Sequence, residues 1–332
     1  MLALDLGIFN KTDHVVSPAQ ATKWTLIWVG LALLFAFVIY NFGENIHGIN
    51  SVAQVKEVTS KYGQPTPIDT TDAGALHSYR KQLTLEFLTG YLVEESLSID
   101  NLFIILLIFT AFSVHRKLYH RVLFWGILGA VIFRCIFIFL GAFLLSQFAW
   151  VMYIFAGFLV FTGVRMFINR NKPEEIDTKS HPVVKFCSRY FRVTKEFEGN
   201  KFSVKRNGKK FITPLLIVLL LIEFSDVLFA VDSIPAIFAV TKDPYIVFFS
   251  NIFAILGLRS LFFLVAELIH KFHFFKHGLS VLLVFIGVKM ILEDKLKEIG
   301  FNITHSLLVI VFVILSSIAL SLVFPEKKAE NR

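Results

Sequence analysis

The sequence predicts an all-α integral membrane protein with about eight transmembrane helices, six of which form two inverted three-helix repeats. Hydrophobic residues make up 55% of the 332 residues and charged residues only 17%, and long apolar runs recur along the chain. Soluble domains rarely combine so few charges with so many apolar side chains. An apolar run of about 20 residues is long enough to cross the hydrocarbon layer of a bilayer.

Eight apolar runs are candidates for such helices. The first is long and lacks a small-residue cleavage pattern, so we expect a membrane helix there rather than a signal peptide. The seventh is short and has Lys289 near its end. In chain order the runs are Trp24–Phe42, Leu83–Phe112, Val122–Leu145, Phe148–Ile168, Ile212–Val240, Ile246–Ile269, Leu279–Leu292 and Ile303–Phe324.

These runs divide the chain into five segments. The first holds the first helix and a polar, irregular outer loop, and the last holds the eighth helix and a cytoplasmic tail. Between them lie the two repeats and a basic cytoplasmic loop. In order, the segments are 1–82, 83–168 (first repeat), 169–211 (basic loop), 212–292 (second repeat) and 293–332.

The basic residues set the expected orientation. Eight spans place both termini on one side of the membrane, and that side receives 22 of the 33 Lys and Arg residues against 7 on the other. Because positively charged loops stay in the cytoplasm, we expect a multi-pass protein of the inner (plasma) membrane with both termini cytoplasmic. The net charge of +8 therefore indicates a lipid bilayer, and not nucleic acid, as the partner of the basic residues.

The basic loop 169–211 is the largest predicted cytoplasmic segment. Its stretch "KFSVKRNGKKFIT" alternates around Asn207-Gly208. That dipeptide suits a type I′ turn, so the sequence predicts a small β-hairpin. The basic excess is typical of positive-inside loops and is also suited to anionic lipid headgroups.

Three stretches of the chain recur in the same order, which coincidence explains less well than a repeat. Because each repeat has three helices, the second copy enters the membrane from the opposite side. Inverted repeats are typical of transporters, whose binding site lies where the repeats meet. The matches are Val160–Met166 with Val284–Met290, Gly126–Arg134 with Ala254–Phe262, and Glu94-x5-Asp100-Asn101 with Asp226-x5-Asp232-Ser233.

Acidic residues outnumber basic ones inside the predicted spans. A charged side chain at the bilayer centre costs at least about 2.5 kcal/mol. Arg134 and Arg259 lie near mid-span, whereas Arg165 and Lys289 are close enough to span ends to reach the headgroups. We therefore expect a metal cation or protons to balance the acids, which are Glu86, Glu94, Glu95, Asp100, Glu223, Asp226, Asp232 and Glu267.

The spacing of these residues indicates a metal site. Residues seven positions apart share a helix face, which stacks an acid with a neutral oxygen donor in each repeat. Asp100 and Asp232 would point elsewhere on an unbroken helix, but Pro235 predicts a kink or unwinding beside Asp232 that frees backbone carbonyls. The candidate metal ligands are Glu94, Asp100, Asn101, Asp226, Asp232 and Ser233.

Oxygen donors of this kind favour a hard divalent ion such as Mn²⁺, Mg²⁺ or Ca²⁺. The two cysteines, Cys135 and Cys187, provide neither a disulfide framework nor a thiolate site. A cluster of His270, His273 and His277 near the inner surface could collect metal, although basic and aromatic residues also commonly anchor helix ends.

A structural role for the acids is the alternative. They would then pair with Arg134 and Arg259 and hold the helices together. Glu95 would face a lipid or protein side, and Glu267 lies close to the inner interface. The pattern of residues leaves both roles open.

Three stretches read together are similar to the TerC family of integral membrane proteins, which is named for tellurium resistance. They are "FLTGYLVEESLSIDNLFIILLIF", "HRVLFWGILGA" and "TPLLIVLLLIEFSDVLFAVDSIPAIFAVTKDP". The resemblance runs from about Leu4 through Met290 and includes "LDLGIF". It implies export of divalent metal, chiefly Mn²⁺, and carries the family's membrane acids onto the six candidate ligands. Related chains usually have another hydrophobic helix ahead of "LDLG", so the start lies upstream or this member is shorter, which leaves the role of Asp5 open.

The leading hypothesis is a secondary transporter, not an enzyme, that exports Mn²⁺ in exchange for protons and binds no permanent cofactor. No nucleotide-binding P-loop motif occurs in the sequence. The alternatives are a non-transporting membrane partner protein, acting in tellurium resistance or in metal loading of secreted enzymes, and an intramembrane aspartyl protease. The protease would need a GxGD-type sequence, which surrounds neither Asp100 nor Asp232.

Overall fold

The computed structural model describes residues 17–62, 71–148, 150–169, 181–268 and 274–324. Within these ranges the chain is almost entirely helical, which confirms the predicted fold class. The helices are α1 (Pro18–Phe42), α2 (Val52–Lys61), α3 (Asp72–Ala111), α4 (Arg116–Gln147), α5 (Val151–Asn169), α6 (Pro182–Tyr190), α7 (Pro214–Phe238), α8 (Pro244–Leu268), α9 (Phe275–Ile291), α10 (Glu293–Glu298) and α11 (Ile303–Val323).

Within the described ranges, six helical segments are long and apolar enough to cross a membrane. They comprise α1 with the 3₁₀ turn that follows it, α4, α5, α7, α8 and α11. The other two predicted spans lie in α3, which carries several acids, and in α9, which has 17 residues. The count of eight spans therefore stays a prediction.

The described part of the predicted outer loop contains regular structure that the sequence did not predict. It contains a 3₁₀ turn at Gly43–Ile46 and helix α2. Helix α3 begins at Asp72, well before the predicted start at Leu83, because the Thr71 side chain accepts from the backbone N–H of Gly74 and caps a polar extension of the apolar run.

The predicted hairpin is confirmed. Strands β1 (Ser203–Arg206) and β2 (Lys209–Ile212) pair antiparallel around Asn207-Gly208. Both turn residues have positive φ, 49° and 73°, as a type I′ turn requires. Because Ile212 belongs to β2, α7 begins at Pro214 and not at the predicted Ile212.

In the described chain, helices of the two predicted repeats pack mainly on helices of the other repeat, and contacts within a repeat are few. The first helix of each repeat packs against the second helix of the other, so α3 contacts α8 and α7 contacts α4. The third helices, α5 and α9, pack together extensively. Exchanging the two repeats leaves this set of contacts unchanged, although the repeat itself stays a prediction.

Two equivalent glycines allow α5 and α9 to approach closely. A Cβ atom at Gly163 would lie 2.8 Å from the Ser280 carbonyl oxygen and 2.8 Å from a methyl of Val284. A Cβ atom at Gly287 would likewise lie 2.8 Å from a methyl of Val160. The sequence repeat matches Gly163 with Gly287 and Val160 with Val284, so each glycine meets the valine of the other copy. Small residues of this kind let membrane helices pack backbone to backbone.

Helix α7 does not unwind at Pro235, contrary to the sequence prediction. It stays α-helical from Pro214 to Phe238, and the backbone N–H of Ala239 still donates to the Pro235 carbonyl at 3.0 Å. The proline lies in the last turn, where it removes one backbone donor shortly before the helix ends. The predicted unwinding beside Asp232 is therefore wrong, and the proline removes only the helical donor to the Val231 carbonyl.

Two hydrophobic clusters hold the bundle together, and α3, α4 and α7 contribute to both. Along α4, Arg134 lies between Ile127 of one cluster and Ile138 of the other. Along α7, Asp226 lies between Ile222 and Ala230 in the same way. The packing of these three helices thus places charged groups at the junction of two apolar regions.

Candidate functional site

Arg134 is the centre of a buried ion-pair cluster. Its side chain is only 1% exposed, yet it is ion-paired through Nη1 with Glu94 of α3. Its Nη2 donates to Asp226 Oδ1 of α7 at 3.1 Å, and Nη1 donates to Asn251 Oδ1 of α8 at 3.2 Å. Glu94 and Asp226 are the positions that the two repeats match, so one guanidinium joins the first acid of both.

Asn101 extends this cluster along α3. With its amide oxygen turned toward Arg134, it accepts from Nη2 at 3.3 Å, while its amide nitrogen donates to the Leu97 carbonyl at 3.2 Å. Glu94 and Asn101 therefore lie on one helix face, as the seven-residue spacing predicted.

The second acids of the two repeats lie elsewhere, in a cavity of about 350 Å³. Four residues with oxygen-bearing side chains line it: Asp100 and Asn101 of α3, Thr162 of α5 and Asp232 of α7. Asn101 thus belongs to both the cavity and the Arg134 cluster. Because six residues on an α-helix turn through 600°, the first and second acids of each repeat cannot share a face.

Asp232 is held within this cavity by Thr162, whose hydroxyl Oγ1 donates to Asp232 Oδ1 at 3.2 Å. A carboxylate has several lone pairs, so this one hydrogen bond leaves acceptor capacity for a cation. Thr162 lies in the recurring "VFTGVRM" stretch, and the sequence prediction missed it. The sequence signal for it is that Thr162 is the only serine or threonine in the predicted span Phe148–Ile168.

The cavity extends toward the predicted cytoplasmic side. Arg165 and Asn169 near the end of α5, and Lys276 at the start of α9, also line it. The Lys276 ammonium lies 4.2 Å from the ring centroid of Phe103, close enough for a cation–π contact. Two basic residues thus belong to the lining at that end of the cavity.

The remaining candidates divide between described and undescribed positions. Ser233 is buried, and within the described part of the chain its Oγ has no hydrogen-bond partner. The side chain of Glu267, and Asp5, His270 and His273, lie outside the described residues. Among the described residues, no group of three or more His, Cys, Asp or Glu side chains is arranged to hold a metal ion.

Two further acids on the helices of this site are half-buried. Within the described chain, Glu95 Oε2 and Glu223 Oε2 are buried without a hydrogen-bond partner. The Glu223 carboxylate rests against Gly129 of α4, where a Cβ atom would overlap it. Nothing in the sequence indicates that Gly129 lies against a carboxylate of another helix.

A second polar cluster joins three elements at the predicted outer side. His47 Nε2 lies 2.7 Å from Asp243 Oδ2. Glu86 Oε2 accepts from the Thr241 hydroxyl at 2.6 Å, which ties α3 to the loop between α7 and α8. Burial and the nearby Asp243 carboxylate raise the pKa of the Tyr62 hydroxyl. These long-range contacts had no signal in the sequence beyond isolated polar residues.

Comparison with known proteins places the chain among integral membrane proteins. The family model described as integral membrane protein TerC family matches residues 79–329. An uncharacterized membrane protein of Myxococcus xanthus is 45% identical over 93% of this chain and 86% of its own length. No solved structure matches the chain.

Two other relatives cover nearly the same extent. A protein of Escherichia coli K12, described as a candidate membrane-bound redox modulator and named Alx, is 41% identical over 95% of this chain and 90% of its own length. A membrane protein of Rickettsia bellii is 37% identical over 93% of this chain and 91% of its own length. The family match, these relatives and the predicted TerC resemblance agree, and the chain belongs to the TerC family of integral membrane proteins.

Proposed function

We propose that this protein exports a divalent cation, with Mn²⁺ as the expected substrate, from the cytoplasm through the cavity between the two predicted repeats. The single observation that carries the proposal is the cavity of about 350 Å³ to which both second acids, Asp100 and Asp232, contribute. Ligand sites of transporters with inverted repeats lie where the repeats meet.

The chemistry of the cavity supports a hard cation. Two carboxylates, the Asn101 amide and the Thr162 hydroxyl are oxygen ligands of the kind that Mn²⁺ accepts readily. Mg²⁺ gives up its water ligands reluctantly, so it should be transported less well. Two carboxylates form a modest site, which suits a substrate that must be released after it binds.

The position of the cavity supports export. Its lining reaches Asn169 at the end of α5 and Lys276 at the start of α9, both next to segments that the charge distribution assigns to the cytoplasm. A cavity open on that side receives its substrate from inside the cell. Return of protons is the expected exchange, because a carboxylate that releases a metal ion inside a protein tends to take up a proton.

The test is flux of metal ions through proteoliposomes that contain the purified protein. We expect Mn²⁺ flux above that of Mg²⁺, Ca²⁺ and Zn²⁺, and we expect expressing cells to hold less Mn²⁺. Absence of flux for all four ions would contradict transport and favour the non-transporting partner protein. Flux of another ion in preference to Mn²⁺ would correct the substrate alone.

The redox role in the name of the relative Alx finds less support here. Cys135 and Cys187 are both free thiols on different helices, and Cys187 is buried in the hydrophobic cluster that contains Ile127. Nothing in their placement favours a second candidate function.

A further inference from the structure

Arg134 presents a charge that stability alone does not explain. The guanidinium is 1% exposed, and its partners Glu94 and Asp226 are also buried. Replacing a buried ion pair by apolar residues of similar size is often neutral or stabilising. A chain that needed only a firm contact between α3, α4 and α7 would be served as well by apolar packing.

The cluster is also electrically incomplete. Two carboxylates face one guanidinium, so its net charge is negative when all three groups are ionised. In the described part of the molecule, Glu94 Oε2, Asp226 Oδ2 and Arg134 Nε are buried without a hydrogen-bond partner. Structural networks in protein interiors usually satisfy every member. The free carboxylate oxygens retain the capacity to bind a second positive charge.

The cluster lies next to the cavity of the proposed transport path. Asn101 lines the cavity and also accepts from Arg134 Nη2. Asp226 and Asp232 lie on the same helix, six residues apart. A cation that leaves Asp100 and Asp232 and moves from the cavity toward the buried cluster therefore meets the carboxylates that the guanidinium now holds.

We propose that Arg134 acts as a tethered cation. Its guanidinium binds the carboxylates of Glu94 and Asp226 while the pathway is empty, and the transported cation displaces it from them. This inference rests on the proposed cation transport. It assigns Glu94 and Asp226 to a second, central cation position, which the transported cation and the Arg134 guanidinium occupy in turn. Asn251, which accepts from Nη1 independently of both carboxylates, remains as a partner for the displaced guanidinium.

The alternation serves release of the substrate. If the central carboxylates had no resident cation, they would hold a divalent ion too tightly, since charge count strongly tunes metal affinity. A guanidinium that returns to the carboxylates replaces the departing ion. The central site is therefore never left as two uncompensated negative charges in a dry environment.

The test compares wild type, Arg134→Gln and Arg134→Lys in proteoliposomes and in detergent. For Arg134→Gln we expect both the apparent KM for Mn²⁺ and the maximal rate to fall about tenfold or more, because binding tightens and release slows. At a fixed Mn²⁺ concentration, the metal should raise the melting temperature of Arg134→Gln more than that of wild type, because the variant binds Mn²⁺ more tightly. Arg134→Lys keeps a charge and should recover at least about a third of the maximal rate.

The controls separate this inference from the proposed function. If wild type shows no Mn²⁺ flux, transport fails, while the Mn²⁺-induced melting shift still compares the affinity of wild type and variants. A KM that is unchanged or raised in Arg134→Gln overturns the tethered-cation role. If Arg134→Gln does not fold, Arg134→Lys decides. If Arg134→Lys transports at less than about a twentieth of the wild-type rate and its Mn²⁺-induced melting shift equals that of wild type, Arg134 has a structural role that needs the planar, bidentate guanidinium.

Discussion

The two acids of each repeat meet very different surroundings. Glu94 and Asp226 are buried against one guanidinium between two apolar clusters, whereas Asp100 and Asp232 line a cavity with Thr162. The spacing in the sequence is the same in both helices, and the rotation of the α-helix alone separates the pairs. The comparison teaches that one recurring motif supplies both a charge-paired centre and the carboxylates of a cavity.

The strongest way to break this comparison is to remove both central carboxylates. In the double variant Glu94→Gln with Asp226→Asn, Arg134 is left as an unpaired buried cation, and we expect a loss of about 3–5 kcal/mol in the free energy of unfolding. Each single variant leaves a neutral pair and should cost much less. Denaturant titration of all three in the same detergent measures this, and additive costs would contradict a shared guanidinium.

Removing a cavity carboxylate should have the opposite signature. Asp232→Asn keeps the size and one oxygen but removes the charge, so we expect Mn²⁺ flux to fall by roughly 100-fold while the melting temperature is kept or raised. Asp100→Asn should behave alike, and Glu267→Gln is the near-silent control. A folded Asp232→Asn protein with wild-type flux would remove the cavity from the transport path.

One added methyl group should force apart α5 and α9, two of the helices that line the cavity. Gly163→Ala places a Cβ atom 2.8 Å from the Ser280 carbonyl and should destabilise the protein by about 1–3 kcal/mol. Gly287→Ala should do the same at the matching position. Gly157→Ala on the same helix α5 is the control, because a Cβ atom there meets nothing within 4 Å. Equal melting temperatures for Gly157→Ala and Gly163→Ala would contradict the close approach of α5 and α9.

The smallest expected effect comes from Thr162→Val, which keeps the shape but removes the hydroxyl that donates to Asp232. A hydrogen bond to a charged group contributes about 1.5–3 kcal/mol when buried, and the partly open cavity reduces this. We expect the apparent KM for Mn²⁺ to change about two- to fivefold with little change in stability. A loss as large as that of Asp232→Asn would show that Thr162 is itself an essential ligand.

The sequence predicted those features that depend on local pattern. The all-α membrane class follows from composition, and the hairpin follows from Asn207-Gly208, whose positive φ angles the structure confirms. The separation of Asp100 from the Glu94 face follows from helix geometry. These conclusions need no knowledge of which helices are neighbours.

The features that the sequence left open depend on neighbouring helices. Pairing of the acids with Arg134 was one of two alternatives, because the helix face of Glu94 does not reveal what α4 places opposite it. Asn251 was missed because an amide in an apolar run has no pattern of its own. Pro235 was over-interpreted, since its effect depends on how near it lies to the end of α7.

The reciprocal contact of α5 with α9 has a consequence for how the halves of the molecule recognise each other. Gly163 meets Val284 while Gly287 meets Val160, which is the arrangement of an isologous interface between two identical subunits. One three-helix unit thus carries both the patch and its complement on a single surface. The covalent link between the halves sets their local concentration and not the geometry of their fit, so the two halves expressed as separate chains should reassemble through this surface.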